Sequence, residues 1–227
     1  MPQENQVDDA VVLNTPRNGY KLLFISLLAL WIVAPFARSF AVDQGFELVV
    51  LTLLILAGGY AISDEARRFR VIVVLGVLVA ALVWIDYLPF IDVYPKLPSR
   101  VVGVAFFLFV AYEILTDILS KQSRVDMSLI YGALSVYLLI GVAFAWLYEA
   151  VFLVDSDAFK GVLLGEGDLV SFDYFSFVTL TTLGYGDISP ATQVTGSLAT
   201  LEALFGQVYL TVLVARLVGM QISQSPD

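Results

Sequence analysis

The chain has 227 residues, of which 59% are hydrophobic and 15% are charged, and its mean hydropathy is +0.86. A soluble domain of this length would carry more charge and fewer apolar residues, so the composition predicts a polytopic membrane protein. The formal net charge of −9 argues against a nucleic-acid partner. The sequence contains no cysteine and no histidine, which excludes disulfides, thiolate chemistry and histidine-based metal or acid–base sites.

The amino-terminal segment, residues 1–19, is polar and acidic and is interpreted as a cytoplasmic tail. Arg17 and Lys21 precede the first apolar run, and small residues follow that run, an order that also occurs in secretory signals. We favour an ordinary first membrane helix, because the acidic leader is long and the charge pattern fits an even number of helices.

Six apolar runs follow one another along the chain, each near the ~20 residues that cross a bilayer. They are Leu22 to Phe36, Phe46 to Ile62, Val71 to Leu88, Val101 to Leu119, Leu129 to Val154 and Val194 to Met220. Spanning segments must satisfy their own backbone hydrogen bonds, so all six are predicted to be helices. The run Phe172 to Thr182 is too short to cross and predicts a re-entrant helix buried in protein.

Lysine and arginine in the short loops predict the orientation, because they favour the cytoplasmic side. With the amino terminus inside, eight of these residues lie on the cytoplasmic side and four outside. The expected location is therefore the cell (plasma) membrane, with a multi-pass topology and both termini in the cytoplasm. The re-entrant segment would then lie near the outer face.

A glycine-spaced motif, Thr181 to Asp187, connects the re-entrant segment to the last apolar run and reads TTLGYGD. Two alternating glycines let the backbone adopt left-handed angles that other residues resist. Successive carbonyls can then point the same way, which a normal strand does not allow. Four such rows around an axis would form oxygen rings able to replace the water around a potassium ion.

At these residues the sequence resembles the tetrameric potassium channel family, whose signature is Thr, an aliphatic residue, Gly, Tyr, Gly and usually Asp. The departure is Leu183, where Val or Ile is commoner. The resemblance extends from Ser128 to Gly219 and points to a bacterial six-helix type. It implies an all-α membrane protein with six transmembrane helices, one re-entrant pore helix and one selectivity filter per subunit. One pore loop per chain implies a homotetramer.

The resemblance also implies roles for the motif residues. The potassium-binding filter would consist of Thr182, Leu183, Gly184, Tyr185 and Gly186. Thr182 would bind the innermost ion through its hydroxyl and carbonyl, the next three residues would add carbonyls, and Gly186 would permit the final turn.

Other residues are expected to support the filter. Thr181 would lie at the end of the pore helix, and Asp187 would brace the outer mouth. Many relatives carry a glutamate behind the filter, but Val178 stands at that position here, so Glu202 of the last helix is the candidate brace. We expect Glu202 to bond a pore-helix hydroxyl or a neighbouring subunit, the alternative being a structural contact without effect on conduction. Gly206 matches the family's hinge glycine and would allow either bending or close packing.

The remaining helix faces have simpler interpretations. Below Gly206, Gln207, Leu210, Val214 and Val218 recur at helical spacing and are expected to line the cavity. Aromatic residues of the pore helix are expected to pack as a cuff against neighbouring helices.

The first half of the chain is predicted to form a four-helix domain, residues 20–124, without gating arginines. The fourth run contains no lysine or arginine, whereas steep voltage gating requires roughly 3–4 charges per subunit. Glu113 is the deepest acidic residue and would pair with Arg100 or a lipid head group. Residues 125–220 would form the pore domain and 221–227 a short cytoplasmic tail, with no attached ligand-binding domain expected.

The functional hypothesis is passive, potassium-selective conduction without conventional voltage gating. No enzymatic activity and no cofactor other than the permeant ion are expected, and the partners would be three further subunits and membrane lipids. Two alternatives remain open from the sequence: a weakly selective cation channel, and a non-conducting membrane subunit that modulates another channel.

Overall fold

The computed structural model describes residues 19–39, 52, 58, 66–86, 96–120, 126–161 and 172–224, and these residues are mostly helical. The helices bounded within them are α1 (Gly19–Ser39), α2 (Ala66–Asp86), α3 (Leu97–Ser120), α4 (Met127–Val154), α5 (Phe172–Leu180) and α6 (Gln193–Gln224). Two short strands, β1 (Phe159–Lys160) and β2 (Ser189–Pro190), pair in antiparallel fashion. The second predicted run, 46–62, lies outside the described residues except for two positions.

Among the residues that the structure describes, four helical segments are long and apolar enough to cross a membrane. They are Arg68–Asp86, Leu97–Ser120, Met127–Val154 and Gln193–Met220. Each corresponds to a predicted apolar run, and the observed helices begin a few residues earlier than the apolar residues themselves. Helix α1 adds a further apolar segment, Gly19–Ala29. The chain is thus a multi-pass membrane protein, as its composition predicts.

Helices α3 and α4 pack closely where a glycine faces a tryptophan. A Cβ atom added at Gly103 would lie 2.1 Å from the Trp146 ring, so no larger residue fits between the two helices. Phe107 meets the same indole edge-on at 5.3 Å between ring centroids. The guanidinium of Arg100 lies 4.7 Å from that ring centroid and pairs with Glu149 at 2.8 Å. Arg100 is therefore bound to α4.

The predicted pairing of Glu113 with Arg100 is wrong, and its alternative, a lipid head group, stays a prediction. The Glu113 carboxylate pairs with Arg68 of α2 at 3.3 Å, because Arg100 lies near the opposite end of α3. At the same end of α3 the Tyr20 hydroxyl of α1 donates to Asp117 at 2.5 Å. Helices α1 and α2 therefore both begin near the carboxyl end of α3.

The short helix α5 packs against both α4 and α6. A Cβ atom at Gly141 of α4 would lie 2.8 Å from the Phe177 ring, so this glycine lets α5 approach. The sequence predicts that this helix extends to Thr182, but it ends at Leu180. The reason is that Thr182 adopts a φ of 58°, which no right-handed helix accommodates.

A short segment before α5, residues 156–161, lies across the chain that leaves the glycine motif. We call it the outer strap. It pairs Phe159 and Lys160 with β2, and its Ala158 carbonyl accepts hydrogen bonds from the Ala191 N–H and the Thr195 hydroxyl, both at 2.9 Å. Gly161 has a φ of +81°, and a Cβ there would lie 1.7 Å from the Asp187 carbonyl oxygen. The strap therefore fixes the connection between the motif and α6.

Candidate functional site

The glycine motif alternates in backbone handedness. Thr182, Gly184 and Gly186 have positive φ angles of 58°, 59° and 79°, whereas Leu183 and Tyr185 between them do not. Glycine adopts such angles readily, but a β-branched threonine does so only when its surroundings enforce it. Strained residues of this kind cluster at functional sites. The alternation inferred from Gly184 and Gly186 thus begins two residues earlier, at Thr182.

Backbone N–H groups at the start of the motif are bound by the end of α5. The N–H groups of Leu183 and Gly184 donate to the Val178 carbonyl at 2.9 Å and 3.3 Å. The Thr182 N–H donates to the Thr179 carbonyl at 2.9 Å. Thr181 donates both its N–H, at 3.0 Å, and its hydroxyl, at 2.6 Å, to the Phe177 carbonyl. The last turn of α5 thereby sets the position of the motif backbone.

The carbonyl oxygens of the motif contrast with its N–H groups. In the part of the chain that the structure describes, no donor reaches the carbonyls of Thr182, Leu183, Gly184 or Tyr185. All four residues are exposed in the single subunit. Consecutive carbonyls without donors are neutral oxygen ligands that suit a dehydrated monovalent cation. Among the described residues no cluster of three or more acidic side chains is placed to hold a metal ion.

Helix α6 contacts the end of α5 at a glycine. A Cβ atom at Gly206 would lie 2.2 Å from the Leu180 carbonyl oxygen, and α6 runs without interruption through this position. The geometry therefore shows close packing at Gly206, one of the two roles proposed for it. The Tyr137 hydroxyl of α4 lies 3.4 Å from the same Leu180 oxygen.

Glu202 lies one turn before Gly206 and is fully buried between three helices. Its Oε1 is 2.5 Å from the Ser176 hydroxyl of α5, and its Oε2 accepts a hydrogen bond from the Tyr148 hydroxyl of α4 at 2.6 Å. The Ser176 oxygen is also 2.7 Å from the Gly141 carbonyl. The structure thus places Glu202 beside a pore-helix hydroxyl, one of the two positions expected for it.

Aromatic side chains surround the start of α5. Tyr148 contacts Phe175 at 4.9 Å and Phe159 at 5.6 Å between ring centroids, both edge-on. Phe172 lies 5.1 Å from Phe159. These rings connect the outer strap, α4 and α5 in one cluster. The cuff of aromatic residues therefore includes Phe159 of the strap, which the sequence did not indicate.

The outer end of the motif is held by hydrogen bonds to Asp187. The Tyr174 hydroxyl donates to the Asp187 carboxylate at 2.7 Å, and the Ile188 N–H donates to the same carboxylate at 3.0 Å. The Tyr174 hydrogen bond holds the pKa of Asp187 below its usual value. The Tyr185 ring stacks on Tyr174, with 6.4 Å between centroids and 5° between planes. Asp187 is thus ionised and in place at the mouth of the motif.

The inner end of the motif meets α6 at Gln207. Its side-chain amide donates to the Thr182 hydroxyl at 3.3 Å. Gln207, Val214 and Val218 are exposed in the subunit, whereas Leu210 is partly buried. The face of α6 below the motif is therefore open at three of the four positions expected to line a cavity.

Sequence reasoning missed the partners of the two acidic residues. Tyr148 was not singled out, and Tyr174 was included only among the aromatic residues of the predicted pore helix. The available signal was chemical: a tyrosine in an apolar or aromatic run carries a hydroxyl that needs a partner when buried. Gly161 was also missed, because a lone loop glycine gives no indication of the backbone that it approaches.

The family comparison covers a part of the second half of the chain. Residues 132–222 match the family described as Ion_trans_2, ion channel. The chain is 35% identical over 101 residues to Two-pore potassium channel 5 of Arabidopsis thaliana. This similarity covers 43% of the chain and 22% of the plant protein, so the chain spans about a fifth of that relative's length. No solved structure matches the chain.

Proposed function

We propose, on the premise that residues 132–222 are an ion channel domain of the potassium channel family, that this membrane protein conducts K⁺ passively and selectively. Membership of a channel family indicates a protein that transports ions and catalyses no covalent reaction. The observation that carries the proposal is the row of carbonyl oxygens at Thr182, Leu183, Gly184 and Tyr185, which no donor in the described residues reaches.

Potassium would be bound by these carbonyls and by the Thr182 hydroxyl, with Gly186 completing the turn toward the outside. Each ring of oxygens would exchange for water as an ion enters, and repulsion between neighbouring ions would keep them mobile. Thr181, Asp187 and Glu202 would support this filter. Leu183 exposes 56% of its surface in the subunit, so its packing against a neighbour would influence selectivity.

The filter is completed by a homotetramer, because one chain supplies one row of oxygens. Helix α6 has an exposed apolar stripe, in which Leu204 and Phe205 are adjacent and the other members follow at about one helical turn. Its members are Leu201, Leu204, Phe205, Val208 and Val212. A neighbouring subunit packed on this stripe would place four motifs around one axis. The first helices would contact membrane lipids, including anionic lipid at the charged segment Asp64 to Arg70.

The directions of the described helices support the proposal of six transmembrane helices per subunit. Helices α1 and α2 both begin near the carboxyl end of α3, close to Asp117 and Glu113 respectively. A chain that runs twice in the same direction needs a return crossing, which the apolar run predicted from the sequence would supply. With both termini cytoplasmic, this arrangement places the motif near the outer face of the cell membrane. Residues 20–124 would form the four-helix domain and 125–220 the pore domain.

Rubidium uptake into proteoliposomes tests the proposal. The purified protein should take up Rb⁺ down an electrochemical gradient, and barium should block this uptake. Replacement of K⁺ by Na⁺ in the vesicles should abolish the uptake. Equal uptake of Na⁺ would indicate a weakly selective cation channel instead. Absence of uptake at every voltage, pH and lipid composition would favour the modulatory subunit.

A matched pair of variants assigns the flux to the motif. Gly184→Ala forces an alanine into a φ of 59° and should abolish Rb⁺ uptake while leaving the oligomer intact, because the added methyl meets nothing within 4 Å in the subunit. Gly196→Ala also adds a methyl in open space, but within a helix, and should conduct normally. Equal Rb⁺ uptake by both variants would show that the flux does not pass through the proposed filter.

A further inference from the structure

The cluster around Glu202 contains more hydrogen-bonded contacts than its hydroxyl protons can serve if Glu202 is a carboxylate. Three oxygen–oxygen contacts form a chain: Tyr148 to Glu202 Oε2 at 2.6 Å, Glu202 Oε1 to Ser176 at 2.5 Å, and Ser176 to the Gly141 carbonyl at 2.7 Å. Tyr148, Ser176 and Glu202 are all fully buried. Each contact is short enough to require one proton between its two oxygens.

Counting the protons decides the state of Glu202. Tyr148 and Ser176 each carry one hydroxyl proton, and the Gly141 carbonyl can only accept. If Glu202 were a carboxylate, it too could only accept, so two protons would serve three contacts. One pair of oxygens would then face each other without a proton, inside protein. A third proton on Glu202 removes the conflict.

The surroundings of Glu202 also disfavour a charge. Among the described residues no lysine or arginine forms an ion pair with it, and Arg68 and Arg100 pair with other acids. The other titratable group close by is Tyr137 of α4, whose hydroxyl contacts the Leu180 carbonyl. An unpaired carboxylate within a membrane helix is costly, whereas a neutral acid can be satisfied by hydroxyl groups alone.

We propose that Glu202 is a neutral carboxylic acid and a positioning residue of the filter: it donates to Ser176, which donates to the Gly141 carbonyl, while Tyr148 donates to Glu202. This chain of donors connects α6, α5 and α4 with one proton for every contact. The role of Glu202 in positioning the filter rests on the proposed function, but the protonation state of Glu202 does not depend on conduction.

The chain of donors acts on the filter through α5. Ser176 lies two residues before Val178, whose carbonyl receives the N–H groups of Leu183 and Gly184. A shift of α5 would therefore move the backbone that presents the carbonyl row. Glu202 determines that position without itself contacting an ion.

Glutamine provides the discriminating substitution, because its amide reproduces the pattern of a neutral acid. In Glu202→Gln the side-chain NH₂ donates to Ser176 and the carbonyl accepts from Tyr148. We expect this variant to keep the Rb⁺/Na⁺ flux ratio of the original protein within about twofold, since every buried group keeps its partner. Glu202→Leu leaves both hydroxyls without their partner and should lower the ratio about tenfold.

Infrared difference spectroscopy of the purified protein at neutral pH reports the proton directly. The spectrum of the original protein minus that of Glu202→Gln should contain the C=O stretching band of a protonated carboxylic acid. A carboxylate band in its place, or a Glu202→Gln variant as impaired as Glu202→Leu, would overturn the proposal. If Glu202→Leu does not assemble, the glutamine variant and the infrared band still decide. A protein that conducts nothing but shows the band would contradict the proposed function and leave the protonation state supported.

Discussion

Gly206 leaves a space that lets α6 approach the end of α5. The Leu180 carbonyl lies where a Cβ would stand, so Gly206→Ala must push α6 away from the end of α5. We predict that this substitution lowers the free energy of unfolding by about 1–3 kcal/mol, the usual cost of overpacking. The measurement is the thermal stability of the purified oligomer in detergent.

The control for this prediction is Gly196→Ala in the same helix, where the added methyl meets nothing within 4 Å. Alanine is the better helix former by about 1 kcal/mol, so this variant should be as stable as the original protein or slightly more stable. If the two variants melt at the same temperature, close packing at Gly206 is not important for stability.

Asp187 gives the outer mouth a defined dependence on external pH. Its pKa is lowered, mainly by the hydrogen bond from Tyr174. A lowered folded-state pKa means that the interaction is fully present above the ordinary aspartate value of about 3.9 and is lost as the pH falls through the lower folded-state value. We predict that conduction persists as the external pH falls through the ordinary aspartate range and declines only below it.

Tyr174→Phe is the matched variant for this titration, because it removes the hydroxyl and keeps the ring. Its decline in conductance should occur at a higher external pH than that of the original protein, since Asp187 loses its main stabilising donor. The measurement is single-channel conductance in planar bilayers across a series of acidic external solutions. Identical titration curves would show that Asp187 does not control the mouth.

At the residue scale, a feature could be predicted from the sequence where a single chemical rule determines it. Alternating glycines predicted positive φ angles, and an ionisable residue in an apolar helix predicted a buried polar contact at Glu202. The positive φ of Thr182 could not be predicted, because threonine avoids that region and only the hydrogen bonds to α5 enforce it. Tyr148 could not be assigned as a partner either, since it lies 54 positions from Glu202 in sequence.

Helix α3 contains the fourth apolar run of the sequence. It contains one basic residue, Arg100, close to its start, and that guanidinium is paired with Glu149 and stacked on Trp146. One charge is worth about 2.3 kcal/mol per 100 mV, and steep gating requires roughly 3–4 in each subunit. We predict a current–voltage relation without a steep activation threshold in symmetrical K⁺ solutions.

The substitution Arg100→Gln tests the same prediction by removing the basic residue of α3. Removal of this charge should leave the voltage dependence of the open probability unchanged, although it removes an ion pair with α4. Recordings from both proteins over the same voltage range make the comparison. A steep sigmoidal conductance curve that flattens in the variant would make Arg100 a voltage sensor.

At the element scale the apolar runs located the helices well, because bilayer thickness sets their length. Their ends were less predictable: α2 begins at Ala66 and includes charged residues before the apolar run. The outer strap was not predicted at all. Its two-residue strands are too short for a periodic pattern, and its contact with Asp187 depends on the fold of α5 and α6.

At the scale of the whole molecule, helix α6 has faces that its own subunit leaves uncovered. Tyr209, Leu213, Leu217 and Met220 pack toward the other helices, whereas Val208, Val212, Val214 and Val218 are exposed. A helix that is only partly covered in one chain fits an assembly in which other copies cover the rest. The sequence predicted the assembly from the single filter motif, but it could not separate the covered face from the exposed one, because α6 is apolar on both.

The absence of cysteine allows a direct test of the fourfold axis, because a single introduced thiol is unambiguous. Val218→Cys places it on the exposed face near the end of α6, and Val74→Cys places it on α2, where the side chain is 66% exposed. We predict that a flexible bifunctional maleimide joins subunits in pairs for Val218→Cys and not for Val74→Cys, since only the former would lie near the axis of the proposed tetramer. The native mass should equal about four chains of 24.9 kDa. A smaller native mass, or cross-linking only at Val74→Cys, would leave the row of carbonyl oxygens without the three further rows that a filter requires.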